Sequence, residues 1–192
     1  MTEQFFNYTD KFVEFTQTDK ELLEAALTFK KADAKTELVV FDEPSDELFF
    51  ILKGCVRKYY VKDGEQITTN IITENNFIGA FTSLITGSKS NETIECLEPL
   101  EMLILTKKDL DRFYKEIPLM NEFIRRILEQ TLIQFQKALT AFILDNPEER
   151  YEKLLSENPE ILKRVPQHML ATYLGITATS LSRIRKRIFK KI

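Results

Sequence analysis

The strongest constraint on the fold is a change in hydrophobic period near Thr106. Between Leu38 and Leu105 the chain contains six short runs rich in β-branched and aromatic residues, separated by turn residues such as Lys53-Gly54 and Asp63-Gly64. Such runs are typical of strands, and Asp-Gly is a strong hairpin signal. Six strands within about seventy residues predict a small sandwich or barrel with an apolar interior.

Beyond this point the apolar residues recur every three or four positions. The longest such stretch runs from about Pro118 to Leu144, and Asn146-Pro147 ends it. A helix of about 27 residues would be roughly 40 Å long, and this one has two apolar flanks. One flank can pack on the strands, and the second predicts pairing with the same helix of another copy. The alternative is that both flanks pack within one chain.

Helical spacing is also found on either side of these segments. It extends from Phe5 to about Phe29, with a break near Thr16–Asp19 where Thr18 is the predicted cap of a second short helix. Glu148–Leu155 predicts another helix, which Asn158-Pro159 ends. Because no Gly/Ser-rich linker follows the long helix, we expect the C-terminal part to be coupled firmly to it.

The last twenty-six residues, 167–192, have the spacing of a helix-turn-helix. Gly175 lies four positions after Ala171, and Leu181 lies six beyond that. Ala171 is small where two helices would cross, and Gly175 falls where the turn requires a positive φ. Thr177 then predicts the N-cap of a second helix that begins at about Ala178.

Short polar and cationic side chains would face outward from this second helix. Thr179 and Arg183 are predicted to reach base edges, and Ala178 to touch a thymine methyl group. The residues predicted to contact the phosphate backbone are Ser180, Ser182, Arg185, Lys186 and Arg187. The competing interpretation is an ordinary helical hairpin with a solvated basic terminus.

The charge distribution supports a nucleic-acid partner independently. After Glu160 the chain has no acidic residue but eight basic ones: Lys163, Arg164, Arg183, Arg185, Lys186, Arg187, Lys190 and Lys191. These eight leave 19 of the 27 Lys and Arg against all 30 Asp and Glu, so residues 1–160 have a net charge of about −11 and the remainder +8. Lysine and arginine at phosphates release counterions and supply sequence-independent affinity.

Several classes of chemistry are not favoured by the composition. Cys55 and Cys96 are too few for a disulfide scaffold or a four-cysteine cluster, and we expect buried free thiols. The only histidine, His168, falls in the helix-turn-helix, so the strands offer none for a metal or haem, and we expect it at the surface or near phosphate. Without a phosphate loop or nucleophile elbow, we expect no enzyme, no metal and no cofactor.

The sequence also indicates where in the cell the protein is located. It opens on no basic-then-apolar export leader, and no run approaches the roughly 20 apolar residues of a membrane span. We therefore expect a cytoplasmic protein without a membrane partner.

The order of these parts resembles the Crp/Fnr family of bacterial transcription regulators. The resemblance rests on Phe77-Ile78-Gly79 before a short helix, the long helix, Arg150-Tyr151, Leu154-Leu155, Pro159, and the run Pro166 to Arg185 with Leu174-Gly175-Ile176 and Leu181-Ser182-Arg183-Ile184-Arg185. It implies an α+β fold with three parts. These are a cyclic-nucleotide-binding-like β-roll or jelly roll (1–117), a long dimerisation helix (118–145) and a small helical helix-turn-helix domain (146–192).

The resemblance further implies a homodimer that binds double-stranded DNA at a roughly palindromic promoter site, with RNA polymerase as a further partner. Thr179 replaces the glutamate usual near the start of the family's recognition helix, so the familiar operator is not assumed. The alternative is a dimeric β-roll that senses a ligand or partner and whose helix-turn-helix no longer reads DNA specifically.

The nucleotide cassette implied by the family is altered in this chain. Cyclic-nucleotide binders of the family carry a Gly-Glu pair for the ribose and an Arg followed by Ser or Thr for the phosphate. Here Gly79 matches, Ala80 replaces the glutamate, and Ser90-Asn91 stand in place of the arginine and hydroxyl residue. Since a desolvated phosphate needs a compensating cation, we expect no cyclic AMP binding.

A different small-molecule effector stays open as a prediction. Its candidate pocket comprises Gly79, Ala80, Phe81, Lys89, Ser90, Asn91, Gln130 and Thr131. Gln130, Thr131 and Gln134 are polar residues in the middle of the long helix, and they are equally consistent with a register-setting patch at a dimer seam.

Overall fold

Two four-stranded antiparallel sheets form the β-roll in a computed structural model that describes residues 2–188. The strands are β1 (Thr28–Ala32), β2 (Glu37–Val39), β3 (Glu47–Lys53), β4 (Val56–Lys62), β5 (Glu65–Ile72), β6 (Phe77–Ile78), β7 (Thr93–Cys96) and β8 (Leu100–Thr106). One sheet has the order β1-β8-β3-β6 and the other β2-β7-β4-β5. All six predicted strands are present, and β1 and β6 are additions to them.

The predicted hairpin at Asp63-Gly64 is confirmed. Both residues have a positive φ, 54° and 82°, and β4 and β5 pair antiparallel on either side of them. Positive φ at both central positions is what a two-residue hairpin turn requires, because its twist then matches that of the strands.

The two cysteines lie in different apolar clusters. Cys96 packs inside the roll with Phe49 and Ile94, whereas Cys55 belongs to the cluster that the roll shares with the C-terminal helices. Both thiols are free and fully buried, and burial raises the pKa of Cys55 to about 12 and that of Cys96 to about 11. The expectation of buried free thiols is confirmed.

The helices precede, interrupt and follow the roll. They are α1 (Thr2–Thr9), α2 (Gln17–Ala26), α3 (Phe81–Thr86), α4 (Lys107–Glu116), α5 (Pro118–Leu144), α6 (Pro147–Glu157), α7 (Pro159–Arg164), α8 (Gln167–Tyr173) and α9 (Ala178–Ile188). The cap of α2 is Thr16, not the predicted Thr18, because Thr16 and Asp19 bond reciprocally in a capping box. Residues 28 and 29, predicted as helical, begin β1.

The long helix α5 divides into a packed half and a bare half. Met120 and Phe123 are buried in a cluster with Val13 and Phe15 of the N-terminal segment. From Leu128 onward the large apolar side chains are exposed. Among residues 2–188, none of the helices combines the length and hydropathy that crossing a bilayer requires.

Candidate nucleic-acid interface

The crossing of α8 and α9 is formed by the apolar positions that the sequence spacing indicates. Leu170 and Ala171 of α8 pack in one cluster with Leu181 and Ile184 of α9, and all four are at most 4% exposed. Ala171 is the small residue in this cluster, where a larger side chain would separate the helices.

The turn between these helices is closed by two backbone hydrogen bonds. The Ile176 N–H donates to the Ala171 carbonyl at 2.9 Å, and the Gly175 N–H donates to the Thr172 carbonyl at 3.0 Å. This pair of bonds is the Schellman motif, in which the residue after the C-cap adopts a left-handed conformation. Gly175 has a φ of 70°, so the predicted positive φ is confirmed.

The start of α9 is capped as predicted. The Ser180 N–H donates to the Thr177 hydroxyl oxygen at 3.2 Å, which satisfies one of the amides left free at a helix start. The Ala178 residue is then the first of the helix.

The outer face of α9 carries the residues predicted to meet DNA. Ala178, Thr179, Arg183, Lys186 and Arg187 are exposed, and Ser180, Ser182 and Arg185 are half-buried. Thr179, Arg183 and Lys186 are four and three positions apart, so they lie on one side of the helix. That these residues contact bases and phosphates stays a prediction.

Three cations of this helix are available for an external anion. Among residues 2–188, Arg183, Arg185 and Lys186 take part in no ion pair, whereas an Arg187 Nη and a Glu148 carboxylate oxygen are 2.7 Å apart. Lys190 and Lys191, counted in the basic terminus, lie outside the described residues. His168 is exposed on α8, where the sequence predicted a surface residue.

Arg164, also counted among the basic residues, is engaged within the chain. Its guanidinium donates to Glu74 at 2.8 and 2.9 Å and to Glu98 at 3.1 Å. Glu74 and Glu98 belong to two loops of the roll, at the ends of β5 and β7. The hydrogen bonds from Arg164 hold the pKa of Glu74 at about 2. Arg164 therefore joins the C-terminal module to the roll, and its charge is already compensated.

Apolar and backbone contacts surround this ionic cluster. Cys55 and Ile71 of the roll share an apolar cluster with Tyr151 and Leu170 of the C-terminal helices. The Thr68 N–H of β5 donates to the Thr172 hydroxyl of α8 at 3.2 Å. The module is thus docked on the sheet that contains β4 and β5, with the outer face of α9 exposed.

The altered nucleotide cassette lies around α3 and the loop before β7. Ala80 and Ser90 are buried, and the Ser90 hydroxyl donates to the Glu92 carbonyl at 2.8 Å. Lys89 is exposed and pairs with Asp42 at 2.8 Å. A Cβ at Gly79 would lie 3.1 Å from the Glu47 carbonyl oxygen, so a larger residue here would require β3 to shift by a few tenths of an ångström.

Glu92 is the centre of a buried polar cluster beside the cassette. Its carboxylate pairs with the Lys58 ammonium at 2.6 Å and accepts a hydrogen bond from the Tyr60 hydroxyl at 2.7 Å. Lys58 also donates to the Gly79 carbonyl at 3.2 Å. Burial and then the bond to Glu92 raise the pKa of Tyr60 to about 12. Lys58, which donates to the cassette backbone, is therefore paired with an internal carboxylate.

The candidate effector residues fall into two groups, one on α5 and one at the start of α3. Gln130 and Thr131 are exposed on α5, and the Thr131 hydroxyl donates to the Ile127 carbonyl of its own helix at 2.8 Å. Gly79, Ala80 and Phe81 lie at the start of α3. A pocket shared by the two groups stays a prediction.

The bare half of α5 has an apolar seam with regular spacing. Its members are four, three, four and three positions apart and are between 49% and 63% exposed: Leu128, Leu132, Phe135, Leu139 and Phe142. This is the alternation that places residues along one side of a coiled-coil helix. Single exposed apolar residues are common, but a continuous seam of this length is typical of an interface.

Sequence reasoning missed two arginines that organise the module, Arg150 and Arg164. In the sequence, Arg150 stands out only as part of a motif and Arg164 only as a positive charge. The bond from Arg150 to Leu174 spans 24 positions, and those from Arg164 to Glu98 and Glu74 span 66 and 90, so no local pattern could have indicated these long-range contacts. Among the described residues there is no group of three or more His, Cys, Asp and Glu side chains placed to hold a metal ion.

Comparison with known proteins agrees with this architecture. Residues 29–116 match the cyclic nucleotide-binding domain family. The chain is similar in structure to the c-di-GMP-responsive global regulator CLP of Xanthomonas campestris, with a TM-score of 0.72, 16% identity and coverage of 92% of this chain and 93% of that one. A Eubacterium rectale structure assigned to the crp/fnr family gives a TM-score of 0.73, 15% identity and coverage of 96% and 88%.

The chain has the Crp/Fnr fold. This is the fold that its sequence motifs indicated. In sequence it is 30% identical to the global nitrogen regulator of Nostoc sp. over 95 residues, which are 48% of this chain. The match spans 42% of that relative, less than half of its length.

Proposed function

We propose that this chain is a homodimeric transcription regulator of the Crp/Fnr type that binds double-stranded DNA sequence-specifically through α9. The observation that carries the proposal is the exposed side of α9, where Thr179 and Arg183 lie in line with Lys186. A capped helix with short polar residues at its start and unpaired cations further along has the chemistry of a major-groove reader. In this proposal RNA polymerase is a further partner, as the family implies.

Dimerisation through α5 is the second part of the proposal. The exposed seam from Leu128 to Phe142 is supported by its coiled-coil spacing and by its continuity with the packed half of the helix. Two-fold symmetry would present two copies of α9 to successive major grooves, about 34–36 Å apart. In this proposal residues 118–145 form the dimerisation segment, between a sensor domain (1–117) and a DNA-binding domain (146–192).

We also propose that the roll does not bind cyclic AMP. Ala80 offers no carboxylate to a ribose, and Ser90-Asn91 offer no guanidinium to a phosphate. Lys58, the half-buried cation beside Gly79, is already paired with Glu92. An incoming phosphate diester would have to break this pair and would leave the Glu92 carboxylate unpaired in a buried site. Sub-millimolar binding of cyclic AMP by isothermal titration would contradict this part.

Selection of binding sites from random duplexes tests the DNA-binding proposal. The full chain is incubated with a random duplex library in dilute buffer, and bound DNA is amplified over several rounds. We expect a two-fold symmetric consensus and a binding constant that falls steeply with salt. A duplex affinity with no consensus would instead support a dimeric sensor whose helix-turn-helix no longer reads bases. A monomer that ignores duplexes would contradict both.

A further inference from the structure

Arg150 of α6 contacts the ends of two other helices. Its Nη1 donates to the Asp145 carbonyl at 2.6 Å and to the Phe142 carbonyl at 3.4 Å, both at the C-terminal end of α5. Its Nε and Nη2 donate to the Leu174 carbonyl at 3.2 and 3.0 Å, at the C-terminal end of α8. One planar guanidinium therefore joins the long helix to the turn of the helix-turn-helix.

The location suits the charge of Arg150. The last carbonyls of a helix have no partner within the helix and carry the negative end of its dipole, so a cation is favourable there. Arg150 satisfies carbonyls at two such ends at once. It does so through separate donors in fixed directions, which a lysine ammonium cannot reproduce from one position.

The same turn touches the last residue of the α5 seam. A Cβ placed on Gly175 would lie 2.8 Å from Cε2 of Phe142, so the aromatic ring packs directly on the turn. The Arg150 guanidinium also packs on this ring, with its Cζ 4.9 Å from the centre of the Phe142 ring. Phe142 is nevertheless 56% exposed, which leaves part of its ring for a partner helix.

We propose that Arg150 is a positioning residue for DNA recognition. It holds the turn before α9 against the end of the dimer seam, so that the geometry of the α5 pair sets the spacing between the two recognition helices. This inference rests on the proposed function, in which α5 forms the dimer and α9 reads DNA. It assigns to Arg150 no contact with DNA.

The consequence is a preference for one spacing of the half-sites. When each α9 is held rigidly, only sites whose half-sites are one helical turn apart engage both copies without distortion. When the holding contact is lost, each α9 can still bind a half-site, but the second binding event loses its preorganisation. Loss of Arg150 should therefore reduce spacing discrimination and leave half-site affinity unchanged.

The test compares the full-length wild type with Arg150→Lys, Arg150→Ala and the control Arg112→Lys. Arg112 lies on α4, is partly exposed, and pairs with carboxylates of its own helix. Binding is measured to the selected palindrome, to the same half-sites separated by about five more base pairs, which is about half a helical turn, and to one half-site. The preference for native spacing is the affinity for the selected palindrome divided by the affinity for the lengthened site. We expect this ratio to fall about tenfold in both Arg150 variants and to stay unchanged in Arg112→Lys.

Equal losses on the palindrome and on the single half-site would overturn the proposal, since they would indicate direct contact or damage to folding. Unchanged spacing preference in both Arg150 variants would overturn it as well. A wild type that shows no preference for a palindrome over random DNA would contradict the proposed function itself, and a DNA-free measurement then decides about Arg150.

That measurement uses spin labels on α5 and α8, introduced by Lys137→Cys and His168→Cys at exposed positions. Labelled chain is mixed with an excess of unlabelled chain, so that distances arise within single copies. We expect a narrow distribution of distances in the wild type and in Arg112→Lys, and a broader one in both Arg150 variants. Equal widths in all four proteins would overturn the positioning role whatever the DNA results.

Discussion

At the scale of single residues, Arg183 and Lys186 test how α9 divides its contacts between bases and phosphates. Arg183→Ala should cost roughly 1–3 kcal/mol on the selected site and relax the preference at one base pair, because a guanidinium can bond two acceptors on guanine. Lys186→Ala should weaken all sequences alike and reduce the salt slope by about one, because it neutralises one phosphate. Fluorescence anisotropy on the selected duplex, its single-base variants and random DNA measures both effects.

The control for these variants is Lys137→Ala, an exposed lysine on α5 away from α9. It should leave both specific affinity and salt slope unchanged. Equal losses on specific and random DNA from both α9 variants would contradict the division of roles.

A pair of glycines isolates the contact between the turn and Phe142. Gly175 and Gly87 both have a φ of 70°, but a Cβ would meet the Phe142 ring at Gly175 and nothing within 4 Å at Gly87. Gly87→Ala should cost only the backbone strain of about 1–2 kcal/mol. Gly175→Ala should lower the free energy of unfolding by more, because the same backbone strain is accompanied by displacement of the Phe142 ring. Urea unfolding of both variants tests this, and equal losses of unfolding free energy would mean that Phe142 does not resist the added methyl group.

Residue-scale features were predictable where their cause is local. The positive φ of Gly175 and the cap by Thr177 follow from the order of residues over a few positions. The pairing of Arg164 with Glu74 could not be predicted, because it depends on how the module sits on the roll. The cap of α2 was placed two residues late, since both Thr16 and Thr18 have the required hydroxyl and only the fold distinguishes them.

At the scale of elements, a single charged substitution in the α5 seam should disrupt the proposed dimer. Leu132→Asp places a charge where two copies of the helix would bury a leucine, so the full chain should become monomeric. Lys137→Asp is the control, because it places a carboxylate at an exposed position on the opposite side of the helix and should leave the dimer intact. Analytical ultracentrifugation of the three proteins measures the change. A wild-type monomer, or a dimer that survives Leu132→Asp, would contradict the proposed interface.

The strands and helices differ in how well the sequence indicated them. Proline and the Asn-Pro pair marked both ends of α5, and its observed bounds are Pro118–Leu144. β1 was missed because this edge strand reads Thr-Phe-Lys-Lys-Ala, and none of its five residues is fully buried. A strand without a buried face has no alternation of apolar and polar residues, so only its pairing with β8 reveals it.

At the scale of the whole molecule, the C-terminal module is held from two sides. Arg150 connects it to α5, as the absence of a linker led us to expect, while Arg164 and Thr172 connect it to the roll. The second connection was not predicted, because β5, on which α8 packs, has the mixed polar and apolar sequence of an ordinary surface strand. The roll and the proposed DNA reader therefore share a boundary through which a change in one could reach the other.

The carboxylate of Glu74 makes this boundary sensitive to acid. Hydrogen bonds from Arg164, together with the Gly54 N–H at 2.7 Å, depress its pKa from the usual 4.5 to about 2. A carboxyl whose pKa is lowered on folding stabilises the folded protein above its unfolded pKa, and this stabilisation is lost as the pH falls toward the folded pKa. The docking should thus be intact above about pH 4.5 and weaken between that value and pH 2.

Glu74→Gln should remove this dependence because it keeps the shape of the side chain without its charge. In hydrogen exchange corrected for intrinsic rates, the Thr68 amide, which bonds to Thr172 across the boundary, should lose protection between pH 5 and pH 3 in the wild type. In Glu74→Gln its protection should be low already at pH 5 and change little. Glu101→Gln, which removes the exposed pair with Lys31 within the roll, should behave like the wild type. If protection of Thr68 in Glu74→Gln matched the wild type at every pH, the charge of Glu74 would be dispensable for docking, and the apolar cluster around Cys55 and Ile71 together with the Arg164–Glu98 pair would be sufficient to hold the module.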